Sequence, residues 1–180
     1  GSFTQTADGS VTNLNHIARY DPETNTWSAL ANGGVNGSAG VSALAIHNGS
    51  LYVGGGFTTT FDGAATNLNR IARYNLTTNT WSPLTGNGVN GSGVYSLAVH
   101  GDNLYAGGDF TQTSNGAVTN LNRVARYNTT TNTWSSLTGN GLNSFVTGLA
   151  VQGDNLYFGG DFTQTSDGAT NLNYIALYDT

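Results

Sequence analysis

Few side chains in this 180-residue sequence are of types that do chemistry, and their spacing does not organise them for it. Gly86-Asn87-Gly88-Val89-Asn90-Gly91 matches the G-x-G-x-x-G spacing that lets a backbone approach a pyrophosphate. That use requires a helix behind the glycines, whose N-terminus holds the phosphates. Here the run Val94-Tyr95-Ser96-Leu97-Ala98-Val99 follows, which is short and rich in β-branched and small residues and reads as a strand. The glycines therefore read as a loop. His16, His47 and His100 are the only histidines. His47 and His100 occupy equivalent turns of successive repeats, so they lie on neighbouring units. A metal site needs converging ligands with supporting hydrogen bonds, and no metal or cofactor is expected.

The carboxylates are equally unpromising. Glu23 is the only Glu, so a glycosidase-type acid pair would need two aspartates at a defined separation. Asp109 and Asp161 share a column with Gly56 and Ser2, and Arg19, Arg73 and Arg126 share one that ends in Leu177. An Asp109–Arg126 ion pair is expected in the third unit only, as a structural feature. Asp62, Asn115 and Asp167 each precede a Gly, a turn signal that explains them without calcium. The runs Val41–Ile46, Val94–Val99 and Val146–Val151, read as inner strands, carry no acid, base or metal ligand. The chain is read as a non-enzyme.

What positions these residues is a repeat. Leu51-Tyr52-Val53-Gly54-Gly55-Gly56-Phe57 returns as Leu104-Tyr105-Ala106-Gly107-Gly108-Asp109-Phe110 and as Leu156-Tyr157-Phe158-Gly159-Gly160-Asp161-Phe162. Phe57, Phe110 and Phe162 are 53 and 52 residues apart, and Phe3 precedes the first by 54. In phase with them, Asn67 to Tyr74 recurs as Asn13 to Tyr20, Asn120 to Tyr127 and Asn171 to Tyr178. Trp27, Trp81 and Trp134 each lie seven residues beyond a Tyr (Tyr20, Tyr74, Tyr127). A period of this length with short apolar runs and no 3.6-residue pattern is that of a propeller blade. The repeat units are 1–40 (partial), 41–93, 94–145 and 146–180 (partial), in one domain over 1–180.

The third unit gives the strands. Val94–Val99 suits an innermost strand, and His100-Gly101-Asp102-Asn103 a tight turn. Leu104–Gly108 is the second strand, where glycines permit close approach by a neighbour. Arg123–Tyr127 is the third, and Trp134–Leu137 the outer fourth. The Tyr and Trp rings should flank the last hairpin and pack on the adjacent blade.

The Gly-Gly doublets (Gly54-Gly55, Gly107-Gly108, Gly159-Gly160) followed by Tyr74 and Trp81, or Tyr127 and Trp134, resemble the kelch motif. Tyr20-Asp21-Pro22-Glu23-Thr24-Asn25-Thr26-Trp27 is similar to its third-to-fourth strand hairpin. The resemblance implies an all-β propeller of four-stranded antiparallel blades, mostly a binding platform, from a bacterial surface or secreted protein. The opening Gly1-Ser2 reads as the scar of a cleaved tag, so an excised or engineered fragment is expected.

Composition removes several partner classes. A net charge of -5, with no Lys, disfavours nucleic acid and anionic membranes. No apolar run approaches the roughly 18 residues of a membrane span. With no Cys there are no disulfides or thiolate sites.

Counted along the chain, the strands read third-fourth, then two complete blades, then first-second-third, with Phe3 in a stub of a second strand. About three blades is too few for a ring, since roughly four to eight is usual. Uncovered blade faces and strand edges are therefore expected to be buried by copies of the same chain. A homodimer makes six blades, with two whole blades from each copy and two shared. A trimer makes nine, and one third-type strand is surplus. The rival reading is a glycan- or protein-binding module. The long loops share a face, where Gln112, Asn115, Asn120 and Asn140 could hydrogen-bond sugar hydroxyls.

Overall fold

The computed structural model describes residues 1–180. Strands β1 (Ala18–Asp21) and β2 (Thr26–Ala29) form a two-stranded sheet. Strands β3 (Val41–His47), β4 (Ser50–Gly55), β5 (Ile71–Asn75) and β6 (Thr80–Pro83) form a four-stranded meander. Strands β7 (Gly93–His100), β8 (Asn103–Asp109), β9 (Val124–Asn128) and β10 (Thr133–Ser136) form a second. Strands β11 (Val146–Gln152), β12 (Asn155–Gly160) and β13 (Ile175–Asp179) form a three-stranded sheet. All pairing within the sheets is antiparallel. The only helical elements are single 3₁₀ turns at Ala31–Gly33 and Thr138–Asn140, each after a fourth strand. The all-β propeller architecture read from the sequence is thus observed strand for strand. One difference is Phe3, which lies in no strand. Its equivalents Phe57, Phe110 and Phe162 follow their second strands and are buried in the connection to the third.

Local chemistry explains the hairpins. The β3–β4 turn places Asn48 and Gly49 both at positive φ, and the β7–β8 turn places Gly101 there. These are the conformations that match strand twist in two-residue hairpins. The longer β5–β6 turn is wired by side chains. Asn75 Oδ1 accepts hydrogen bonds from the amides of Thr77 and Thr78, both at 2.9 Å. Asn79, at φ 55°, accepts a bond from the Tyr74 hydroxyl at 3.1 Å. The Tyr74 and Trp81 rings meet at 4.9 Å. Tyr127 with Trp134, and Tyr20 with Trp27, repeat this geometry at the same separation. The Tyr-(Asn/Asp)-x-x-x-Asn-Thr-Trp run is therefore one folding unit: an Asx turn, a left-handed Asn and a ring pair.

The core lies between the sheets. Tyr52 and Ile71 of one blade pack with Val94, Ala106, Tyr127 and Trp134 of the next. Tyr105 and Val124 pack with Val146, Leu156 and Phe158 in the same way. Ile17, Leu30 and Val35 cover Val53, Tyr74 and Trp81. Each blade is thus stabilised by burial against its neighbour. Trp81 Nε1–H donates to the Ala31 carbonyl at 2.9 Å, and Trp134 Nε1–H to the Thr85 carbonyl at 2.9 Å. Both acceptors follow the fourth strand of the preceding blade, so each Trp pins its blade to the one before.

Candidate functional site

This stacking leaves two end faces, and they differ in kind. At the N-terminal end Tyr20 and Trp27 face outward, with Trp27 48 % exposed against 8 % for Trp81 and 6 % for Trp134. Leu44 and Ile46 of β3 are also exposed, whereas their equivalents Leu97 and Val99, and Leu149 and Val151, pack into the cores formed with the preceding blade. At the C-terminal end Ile175 is 68 % exposed, where its equivalents Ile71 and Val124 are fully buried. Tyr174 and Leu177 are exposed with it. Gly159 has open space above it, while a Cβ on Gly54 or Gly107 would meet Val94 or Val146 of the following blade at 2.7 and 2.6 Å.

A cavity of about 150 Å³ lies beside β13, lined by Leu137, Leu142, Phe158, Leu172, Ala176 and Tyr178 among others. Its lining matches, position for position, Leu84, Val89, Ala106, Leu121, Ala125 and Tyr127, which enclose Trp134 one blade earlier. The cavity is the socket that a fourth-strand Trp fills elsewhere in the chain. Thr138, which also lines it, stands where Thr85 accepts the Trp134 N–H bond.

The loop face is built as the strand alternation implies. The second-to-third and fourth-to-first connections interlock there: the Asn115 amide donates to the Gly86 carbonyl at 3.1 Å, and Asp167 to Gly139 at 3.1 Å. The four sequence-predicted residues lie in these loops. Asn115 Oδ1 caps its own turn, accepting from the Ala117 amide and Thr113 Oγ1, both at 3.0 Å. Asn120 and Asn140 hold left-handed backbone at φ 60° and 58°. The Asn140 carbonyl accepts a bond from Asn122 Nδ2 at 2.7 Å. The Gln112 amide donates to Asn90 Oδ1 at 3.2 Å. Sequence reasoning missed the Asn36, Asn90 and Asn143 column. Each Oδ1 accepts two amides from the next blade's loop: Thr58 and Thr59, Thr111 and Gln112, Thr163 and Gln164. Their repetition at intervals of 54 and 53 residues was the available signal.

The expected Asp109–Arg126 pair is not formed. Asp109 Oδ1 instead takes Arg123 Nη1, and its other oxygen takes Ser92 Oγ. Arg126 sits opposite Tyr105 in the β8–β9 register, four residues from Asp109 along the strand, and donates to Ser135 Oγ at 3.1 Å. Arg123 also lies over the Phe145 ring at 5.2 Å. His100 meets Asp154 at 3.3 Å and Thr180 Oγ1 at 3.0 Å, and His47 meets Asn48 at 2.9 Å.

The Asp-Gly turns give a pH prediction with an internal control. Asp8, Asp62 and Asp167 have carboxyls below the usual range, Asp8 at about 2. For Asp8 the Thr6 hydroxyl bond is the main cause, for Asp62 the Ala64 amide, and for Asp167 the Thr165 hydroxyl. A depressed folded-state value means that the turn's stabilisation is present above the unfolded carboxylate range and lost as pH falls through the folded value. Hydrogen exchange at Ala64 and Ala169 should therefore accelerate, relative to Ala117, below about pH 4. The Ala117 amide is held by neutral Asn115 and should keep its protection.

Stacked four-stranded antiparallel meanders, each pinned to the last by a Trp, define a β-propeller. This chain belongs to the Rax2 C-terminal beta propeller domain family, whose model matches residues 17–155. The polarized growth protein rax2 of Schizosaccharomyces pombe (strain 972 / ATCC 24843) is 39 % identical over 87 residues. That match covers 48 % of this chain and 7 % of the yeast protein, so the chain corresponds to a small part of its relative. The relative is eukaryotic, and lends no support to the bacterial parent expected from the sequence. Among solved structures, the computationally designed Ika8 protein is similar at a TM-score of 0.45 and 17 % identity, over 76 % of this chain and 39 % of that one. The computationally designed Ika4 protein is similar at 0.42 and 12 %, over 80 % and 93 %.

Proposed function

We propose that this chain is a non-enzymatic propeller segment, of kelch-like repeat type, whose activity is assembly with copies of itself. The observation that carries this reading is the pairing of an exposed Trp27 at one end with, at the other, an open socket of the kind that holds Trp134. The two faces are the same pair of surfaces that already meet twice within the chain, between the first and second four-stranded sheets and between the second and the three-stranded one. Head-to-tail contacts of this kind close into rings when the rotation permits and otherwise run on as fibres. Two copies closing on each other give six blades, within the usual range. Native mass spectrometry of the 180-residue chain at micromolar concentration should give twice the monomer mass. A monomer would sink the proposal, and a trimer would keep assembly but replace the six-bladed ring with nine.

A further inference from the structure

Head-to-tail closure brings two strands to one place. The fourth sheet already holds a third-type strand, β13, and the incoming copy's β1 is also of the third type. Either β2 joins the free edge of β13 and β1 is expelled, or the whole β1–β2 hairpin takes the place of β13.

A three-residue row across the blades decides between them. In the first whole blade Tyr52 pairs with Arg73, and Arg73 pairs with Ser82, to whose Oγ its Nε donates at 3.3 Å. In the second, Tyr105, Arg126 and Ser135 repeat the row, with the Arg–Ser bond at 3.1 Å. In the three-stranded sheet Tyr157 pairs instead with Leu177, which is exposed and has no group for a serine to bond. The N-terminal hairpin carries the missing half of the row, Arg19 paired with Ser28. It is also anchored to its own chain through buried Leu14, Ile17 and Leu30, and Asn15 Nδ2 donates to the Gly33 carbonyl at 2.7 Å. β13 exposes Ile175 and Leu177 and is held at one edge only.

Resting on the assembly reading above, we infer that copies join by strand exchange: the β1–β2 hairpin of one copy replaces β13 of the other, setting Arg19 beside Tyr157 and Trp27 against Leu137 and Phe158. The released β13 is the surplus third-type strand. It acts as a placeholder that covers the edge of β12 until a second copy arrives.

The chain has no Cys, so engineered pairs report cleanly. The Arg19→Cys, Tyr157→Cys double variant should form a covalent dimer on oxidation. The Ser28→Cys, Leu177→Cys variant should not. The reverse pattern overturns the inference while leaving assembly intact, and a purely monomeric wild-type chain overturns both. Because Tyr157→Cys could itself weaken the blade, hydrogen exchange on the wild-type assembly supplies an independent readout. The amides of Ile175–Asp179 should exchange at least tenfold faster in the oligomer than in the dilute monomer, with those of Ala18–Asp21 slower. Protected Ile175–Asp179 in the oligomer would refute the exchange.

Discussion

Trp27→Ala should dissociate the oligomer while leaving the single chain folded, whereas Trp134→Ala should cost the fold about 3–5 kcal/mol. The two residues occupy the same position of the repeat and make the same local contacts, each with its ring 4.9 Å from the hairpin Tyr. They differ in what lies on the other side. Trp134 is enclosed by Leu84, Val89 and Leu121 and donates to the Thr85 carbonyl, so its removal opens a cavity and takes the donor from that carbonyl. Trp27 has only its ring partner and the surface loop near Phe3 and Leu14, so within one chain its removal forfeits about 0.5–1.5 kcal/mol of aromatic contact. At an interface, a Trp seated in an apolar pocket is the usual energetic anchor, worth about 2 kcal/mol or more. That corresponds to roughly a 30-fold weaker association. Urea unfolding below the assembly concentration and light scattering above it separate the two effects. A Trp27→Ala chain that assembles like the wild type would remove Trp27 from the interface.

The strand order was legible because the repeat supplied several aligned readings of each strand, and because Tyr, Trp and Gly-Gly mark different strands. That the Trp ring packs on an adjacent blade also followed from spacing, while the side it takes, against the preceding blade, came from the structure. The ion pair of Asp109 was not legible. Choosing between Arg123 and Arg126 requires the β8–β9 register, which sets Arg126 opposite Tyr105, and the left-handed φ of 71° at Arg123. Neither is written in residue types. The loop asparagines were hidden for another reason: in a chain so rich in Asn, the column of Asn36, Asn90 and Asn143 does not stand out by composition. Their role is to clamp backbone amides of the adjacent blade, which periodicity alone does not reveal, since Asn120 recurs as well, as Asn13, Asn67 and Asn171. The end faces were legible as a strand count, but not as a socket, because that takes side chains of the three-stranded sheet and of the four-stranded sheet before it together.

The Gly-Gly doublets provide the largest contrast between fold and assembly. Gly107→Ala should destabilise the chain by about 1–3 kcal/mol, because its new Cβ would sit 2.6 Å from Val146 Cγ1 and 3.0 Å from Val146 Cβ. β8 and β11 belong to adjacent blades whose separation is set by that contact, so relief requires the blades to part. Gly159→Ala makes the same chemical change in the same column, yet nothing lies within 4 Å of the added carbon. Within one chain it should be neutral or mildly stabilising, since Ala restricts a strand backbone that Gly leaves loose. In the ring, however, Gly159 becomes what Gly107 already is, the floor beneath a first-strand valine. That valine is Val41 of the second copy, the repeat equivalent of Val94 and Val146. The added methyl should therefore weaken association by about 5- to 150-fold, the equivalent of the same overpacking, with no loss in the urea midpoint of the dilute chain. Should Gly159→Ala assemble with wild-type affinity, the C-terminal blade is not covered by a β3-type strand, and the head-to-tail ring is the wrong geometry.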